Sequence, residues 1–157
     1  MKIIKVPTEF LQADGSPFRQ AKRDPKGNLI FQLDKSGEPM KDSTGNRLVD
    51  IEDATFADIL KTFLNNTFNV AQAKKKDLTI EDSSQAVDIH RAIRVMVDGR
   101  LELEKAPHEW LLKKVDEYGV DIIGVNAAVL KEILSTTTEE TPSRGERRRE
   151  AKAEKAG

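Results

Sequence analysis

The sequence predicts an α+β protein with three parts: an N-terminal β-hairpin ribbon, a small helical domain of about four helices, and a disordered charged C-terminal tail. Turn-forming motifs crowd into residues 1–52, apolar residues recur at helical spacing through residues 53–135, and residues 136–157 contain no large apolar side chain. These patterns indicate hairpins, helices and disorder respectively. Strands followed by a run of helices favour an α+β fold.

Four turn motifs dominate the first part of the chain. Each combines an Asp, whose side chain can cap a tight turn, with a Gly, which adopts positive φ at little steric cost. Three of them share the order Asp-x-x-Gly, which suits a type I turn that closes on a left-handed glycine. The four motifs are DGSPF at residues 14–18, DPKGNL at 24–29, DKSGEPM at 34–40 and DSTGNRL at 42–48.

Short stretches between the turns have strand character. We expect strands at residues 2–6, 28–33 and 47–51, and the segment LIFQL at 29–33 has the aromatic and β-branched residues typical of a strand. Two or three strands in a ribbon are only marginally stable by themselves. We therefore expect this ribbon to rest on the helices or on a partner molecule.

Apolar spacing predicts two helices at the start of the helical domain. The first has Asp53 or Thr55 as its N-cap and ends in the polar stretch 65–69. The second begins near Asp82 or Ser83 and stops at Asp98-Gly99, because a glycine is a common helix terminator. Their apolar faces are formed by Phe56, Ile59, Leu60, Phe63 and Leu64 and by Ala86, Ile89, His90, Ile93, Met96 and Val97.

Two further helices follow a short extended segment at residues 100–104. Pro107 lies in the first turn of the third helix, where its missing N–H costs nothing, and Gly119 is the expected stop. The fourth helix spans residues 126–135, with Asn126 as its cap. From Thr136 onward the sequence predicts a disordered tail, because it cannot bury enough apolar surface to offset the entropy of ordering.

Composition excludes several classes of protein. The chain of 157 residues contains no cysteine, which excludes disulfide scaffolds, zinc ribbons and thiol nucleophiles. Its net charge of −1 gives no general attraction to nucleic acid or to membrane surfaces. No apolar run approaches the roughly 20 residues that span a bilayer, and residues 1–7 are too short and too polar for a signal peptide.

Motifs of catalysis and metal binding do not appear. A calcium loop needs several carboxylates at alternate positions, whereas each turn here brings one Asp. His90 and His108, the two histidines, could meet only if their helices were antiparallel neighbours, and no third ligand is suggested. The acidic group at Asp50, Glu52 and Asp53 precedes a helix N-terminus, where the helix dipole favours negative charge. We predict no catalytic residue, no metal site and no cofactor.

Apolar residues of the ribbon are the candidate partner-binding residues. Leu29, Phe31 and Leu33 lie on the 29–33 segment, and a ribbon with unpaired edges can add to the sheet of a partner protein. Phe68 falls outside the apolar face of the first helix and is expected to form a small exposed anchor.

The alternative is a nucleic-acid-associated regulator. Arg144, Arg147, Arg148 and Arg149 form a cationic cluster, and a basic arm of this kind can settle on phosphates. Acidic residues nearly balance the basic ones within 136–157, and no aromatic side chain is present there to stack on bases.

The order of parts between Thr55 and Leu134 resembles that of small uncharacterised proteins encoded by tailed bacteriophages. The shared parts are a turn-rich opening, helices like FADILKTFL at 56–64 and DIHRAIRVM at 88–96, an extended LEL at 101–103, and a helix pair that ends in VLKEIL at 129–134. This chain has a longer hairpin region and an additional charged C-terminal extension. The resemblance implies a viral origin and transfers no functional residue.

These observations predict a non-enzymatic protein-interaction protein of phage type. The expected partner is a virion component met during assembly or a host protein, and the expected location is the virion or the host cytoplasm. No membrane contact is expected, nucleic acid remains an alternative partner through the tail, and the oligomeric state is left open.

Overall fold

The computed structural model describes residues 1–139 and Lys152, and it has the predicted α+β architecture. Within the described residues there are five short strands and four helices: three strands, two helices, one strand, two helices and a final strand. The elements are β1 (Lys2–Lys5), β2 (Arg19–Ala21), β3 (Ile51–Asp53), α1 (Phe56–Ala73), α2 (Ile80–Arg94), β4 (Arg100–Leu103), α3 (Lys105–Ile123), α4 (Asn126–Ser135) and β5 (Thr137–Glu139).

A three-stranded antiparallel sheet carries the helices. Its strand order is β4-β1-β5, with Ile4 opposite Leu101 on one side and opposite Thr137 on the other. Ile4, Leu101 and Leu103 are buried in the core, and β4 shows the alternation of exposed and buried residues that is expected along a strand. The expectation that the disordered tail starts at Thr136 is wrong for its first residues, because 137–139 form the edge strand β5.

A single hydrophobic core joins this sheet to the four helices. We call this unit the body. The buried members of the core come from every helix, from β1 and β4, and from the chain on either side of the hairpin region. They are Ile4, Val6, Phe10, Ala54, Phe56, Ile59, Leu60, Phe63, Leu64, Ile89, Ile93, Leu101, Leu103, Leu111, Val115, Leu130 and Leu134.

Helix α1 begins as predicted and ends later than predicted. Thr55 and Asp58 form a reciprocal capping box, in which each side chain accepts a hydrogen bond from the backbone N–H of the other. The helix continues through the polar stretch 65–69 because Thr67 is buried, with its hydroxyl donating to the Phe63 carbonyl at 2.8 Å. It ends at Ala73, and Lys75 then takes a positive φ of 56°.

Helix α2 starts at Ile80, ahead of the expected start near Asp82 or Ser83, and ends at Arg94, before the expected stop at Asp98-Gly99. Thr79 is its N-cap, and Asp82 is the capping-box partner at the third helical position. The indole N–H of Trp110 donates to the other Asp82 oxygen at 2.8 Å, which ties α3 to the beginning of α2. Burial raises the pKa of Asp82, but hydrogen bonds from Thr79 and Trp110 outweigh it and the pKa is lowered.

Gly119 does not stop helix α3, which runs on to Ile123 and ends at Gly124. The glycine instead allows α3 and α4 to approach closely. A Cβ added at Gly119 would lie 2.9 Å from the Cβ of Ala127, well inside ordinary van der Waals contact. Helix α4 occupies the predicted range, but Asn126 is its first residue rather than its cap.

Replacing Gly119 with alanine is expected to destabilise the protein by about 1–3 kcal/mol, because overpacking outweighs the higher helix propensity of alanine. Chemical denaturation of the Gly119→Ala protein measures this change. The matched control is Gly119→Ala combined with Ala127→Gly, which removes the clashing methyl group and should recover part of the loss. If the double variant lost as much stability as the two single substitutions together, the proposed clash would be contradicted.

The first hairpin, in which Leu11 pairs with Pro17, and the β2–β3 pair are fixed to the body at a three-way junction. Phe18 donates its N–H to the Phe10 carbonyl, Phe10 to Ala54, and Ala54 to Phe18, at 3.0, 3.4 and 2.6 Å. Phe10 and Ala54 are fully buried, and the Phe10 ring packs on Phe18 and Phe56 with centroids 6.0 and 6.3 Å apart. The Asn126 side chain also accepts from the Ala13 N–H at 3.1 Å, so α4 holds the first hairpin.

Candidate functional site

Residues 22–50, which we call the hairpin arm, extend from this junction beyond the β2–β3 pair. None of these residues is buried, and none belongs to the hydrophobic core. The arm is built from three hairpins closed by the turns at Asp24, Asp34 and Asp42. It is therefore the part of the described chain that is folded without being packed into the body.

Two further three-way junctions organise the arm. At the inner junction Ile30 donates to the carbonyl of Lys22, Lys22 to Asp50, and Asp50 to Ile30, with N···O distances of 2.9, 2.9 and 2.8 Å. At the outer junction Met40 donates to Gln32, Gln32 to Leu48, and Leu48 to Met40, at 2.9, 2.8 and 2.9 Å.

Each junction satisfies six backbone groups without a strand ladder. In an ordinary antiparallel pair two residues exchange both of their hydrogen bonds. Here each of three residues donates to one neighbour and accepts from the other, so that every N–H and C=O in the ring is paired. The result is a branched set of hairpins in place of the simple ribbon that the turn motifs suggested.

Each Asp-x-x-Gly turn of the arm is locked by its own aspartate. In the turn that begins at Asp34, the Asp34 Oδ1 accepts from the Ser36 N–H, the Ser36 hydroxyl and the Glu38 N–H, at 2.9, 2.6 and 3.0 Å. Asp42 makes the same three bonds with Thr44 and Asn46, and Asp24 accepts two N–H groups. Gly37 closes its turn at a φ of +84°, where a side chain would be strained.

The first turn departs from this pattern. It begins at Gln12, whose carbonyl accepts from Gly15, and Asp14 is its third residue. Asp14 still caps the turn through the N–H and the hydroxyl of Ser16, at 2.9 and 2.6 Å. The four motifs that look alike in the sequence therefore form three equivalent turns and one variant.

These hydrogen bonds lower the pKa of three turn carboxyls. The largest cause is the hydroxyl that donates to each: Ser16 for Asp14, Ser36 for Asp34 and Thr44 for Asp42. Because the pKa values are lower in the folded turns, the carboxylates stabilise the turns above the pKa of an unfolded Asp, and this contribution is lost as pH falls through the folded pKa.

Acidification below about pH 4 is therefore expected to loosen the turns of the arm before it affects the body. NMR titration measures this through the amide shifts of Ser36 and Thr44, which should follow carboxyl groups with pKa values below that of an unfolded Asp. In the control variant Asp34→Asn, the Ser36 amide should stop titrating while the Thr44 amide continues. Titration of both amides at the ordinary Asp pKa would contradict the proposed caps.

The arm exposes apolar side chains that the body does not cover. Leu33 is 61% exposed, and Leu29 and Met40 are exposed as well. Phe31 is half-buried, with the guanidinium of Arg47 5.7 Å from its ring centroid. The structure thus places three of the predicted partner-binding residues on the same arm as Met40, which the sequence reasoning did not select although it lies in a turn motif.

The backbone edges of the arm are too short for strand addition. Its hairpins have a single bridged pair each, namely Arg23–Leu29, Leu33–Pro39 and Lys41–Arg47. The N–H and C=O groups of such a pair point outward for one residue only, and Pro39 has no N–H to offer. The predicted strand at 28–33 is thus a series of isolated bridges, and we expect contacts to be made by side chains rather than by sheet pairing.

Phe68 is neither on the arm nor an exposed anchor. It lies within α1, where its side chain is half-buried. The expectation failed because it depended on an early end of the first helix. The arginine cluster at Arg144, Arg147, Arg148 and Arg149 lies outside the described residues.

The histidines are used in different ways. The Nε2 atom of His108 lies 2.8 Å from the Leu134 carbonyl, and its side chain is buried between α3 and α4. His90 is half-buried on α2, where burial, together with Lys61 and Arg94, lowers its pKa. In the part of the chain that the structure covers, no three His, Asp or Glu side chains are grouped so as to hold a metal ion.

A second apolar feature lies outside the arm and was not anticipated from the sequence. A groove of about 520 Å³ is lined by the segment 7–11 and by α4, with Pro7, Leu11, Val129 and Ile133 as its apolar walls. Leu11 belongs to the first hairpin and is exposed.

No protein-family model matches this chain, and neither does any curated protein or solved structure. Among the described helices, none combines the length and apolarity needed to cross a membrane.

Proposed function

We propose that this protein is a non-enzymatic interaction protein whose hairpin arm docks onto a partner protein. The partner is a virion component during phage assembly or a host protein. The observation that carries the proposal is the arm: a folded, branched structure that contributes nothing to the core and displays Leu29, Leu33 and Met40.

The energetics of the arm support this function. Covering exposed apolar surface with a partner contributes a favourable free energy of roughly 25 cal/mol per Å² of apolar area removed from water. The cyclic junctions and capped turns hold the arm in one conformation before binding, which lowers the entropy that binding must overcome. The exposed apolar residues of the arm are followed or preceded in sequence by exposed charged residues such as Lys35, Glu38 and Lys41, which can supply the polar rim of an interface.

Aspartate substitutions at the arm test this proposal. The double variant Leu33→Asp, Met40→Asp leaves the core untouched, and the matched control Val120→Asp, Val125→Asp places the same two charges on exposed valines at the end of α3 and just beyond it. The immobilised chain is used to capture proteins from a bacterial lysate at moderate salt. We expect the amount of captured protein to fall at least tenfold with the arm variant and to stay unchanged with the control.

Capture that is unchanged by the arm variant would contradict the proposal. Loss of the captured material on nuclease treatment would also contradict it and would favour nucleic-acid binding. A circular dichroism spectrum identical to that of the natural chain shows that the arm variant has kept the helical body.

A further inference from the structure

The outer face of α2 carries three exposed apolar residues, Ile80, Val87 and Val95, that nothing in the described chain covers. The helix packs against α1, α3 and β4 through its opposite side, where Ala86, Ile89 and Ile93 are buried. At 100° per residue, Ile80, Ser84, Val87 and Arg91 fall on one line along the outer side, and Val95 follows at its end. Ile80, Val87 and Val95 are 87%, 44% and 72% exposed.

Charge is distributed unevenly along this face. The N-terminal end carries Glu81, whereas the C-terminal end carries Arg91 and Arg94. Arg91 lies 3.6 Å from Asp88 on its own helix, and both groups are largely exposed to solvent. A recess of about 240 Å³ runs along the face, lined by Ile80, Ser83, Ser84, Val87, Asp88 and Arg91.

We propose that this face pairs with the same face of a second copy of the chain, in antiparallel orientation and with the two-fold axis near Val87. Reversal of direction places Ile80 beside Val95 of the second copy, so that the two most exposed apolar residues of the face cover each other. It also brings Arg91 towards Glu81 of the second copy.

Self-complementarity is the reason for choosing a second copy. An interface about a two-fold axis requires a surface that matches itself when turned round. A face with exposed apolar residues at its centre and at both ends, with Glu81 at one end and Arg91 and Arg94 at the other, meets this condition. The two helix dipoles also oppose each other favourably. A parallel copy would place like charges together. The interface is separate from the hairpin arm and does not depend on the function proposed for it.

Disulfide trapping tests the proposed axis directly, because the chain contains no cysteine and a single introduced thiol reports only its own position. In the Val87→Cys variant the two thiols meet at the axis, within the roughly 4 Å between Cβ atoms that a disulfide requires. Mild oxidation should convert most of this variant to a covalent dimer. The control Val120→Cys, exposed on α3, should stay largely monomeric. Equal cross-linking of the two variants would overturn the proposal.

Charge reversal tests the orientation. Arg91→Glu is expected to weaken self-association at least tenfold in sedimentation equilibrium, and adding Glu81→Arg should restore it. A natural chain that stays monomeric at several hundred micromolar, or a failure of the second change to rescue the first, would overturn the proposal. The dimer should survive removal of residues 23–49, and its loss there would place the contact on the arm instead.

Discussion

Replacing Phe10 with alanine is expected to lower the free energy of unfolding by about 3–5 kcal/mol, a large share of the stability of an ordinary domain. Phe10 is fully buried, packs on Phe18 and Phe56, and supplies both backbone groups to the junction that joins the first hairpin to the body. The substitution removes a ring from the core at the point where segments that are distant in sequence, around Phe10 and around Ala54, are hydrogen-bonded to each other. The cavity it leaves is bordered by backbone that hydrogen bonds hold in place.

Thermal denaturation measures the effect, which should be a fall in the melting temperature on the order of 10 °C. The matched control is Phe31→Ala, which removes the same side chain from the half-buried site beside Arg47 on the arm. Because that ring lies outside the core, the melting temperature of the body should change little. Equal losses at the two positions would show that the arm and the body are one cooperative unit.

Removing the hairpin arm is expected to leave the body folded while abolishing capture of the partner protein. Residues 23–49 can be replaced by Asn-Gly, which forms the type I′ turn that connects antiparallel strands. Without Ile30, Lys22 and Asp50 can exchange both of their backbone hydrogen bonds as an ordinary antiparallel pair. The β2–β3 pair and the buried junction at Phe10 remain unchanged.

Circular dichroism and calorimetry measure the first half of this result, and the lysate capture assay measures the second. The helical signal should persist, and the melting temperature should stay within a few degrees of the natural value. The control replaces only residues 24–28 by a Gly-Ser linker, which removes one turn and keeps Leu33 and Met40 on the arm. Collapse of the body on excision of residues 23–49 would contradict the division into body and arm.

The helices could be predicted from the sequence where the apolar periodicity and the helix-capping residues indicate the same boundary. Helix α4 has the predicted bounds, and the capping Thr55 was among the two predicted candidates. The errors come from residues whose role depends on tertiary contact. Thr67 was interpreted as part of a polar segment that ends the first helix, but it is buried and its hydroxyl donates to the Phe63 carbonyl of the same helix. Gly119 was interpreted as a helix terminator, but it lies inside α3 where α4 approaches closely.

The candidate site could be predicted from the sequence only in part. All four turns form, because Asp and Gly determine turn geometry through contacts within five residues. Turn chemistry does not specify which strands meet, so the cyclic pairing of Lys22 with Ile30 and Asp50 could not be derived from it. Leu29, Phe31 and Leu33 were selected for strand character, and the branched arm places them where isolated bridges occur.

The most direct test of the arm is the detection of scalar couplings through its hydrogen bonds by NMR, which identifies the acceptor carbonyl of each amide. The branched arrangement predicts that the Ile30 amide couples to the Lys22 carbonyl, the Lys22 amide to Asp50, and the Asp50 amide to Ile30, with the corresponding cycle among Gln32, Leu48 and Met40. Reciprocal couplings between two residues, as in a simple ribbon, or amide exchange at random-coil rates throughout residues 22–50, would contradict it.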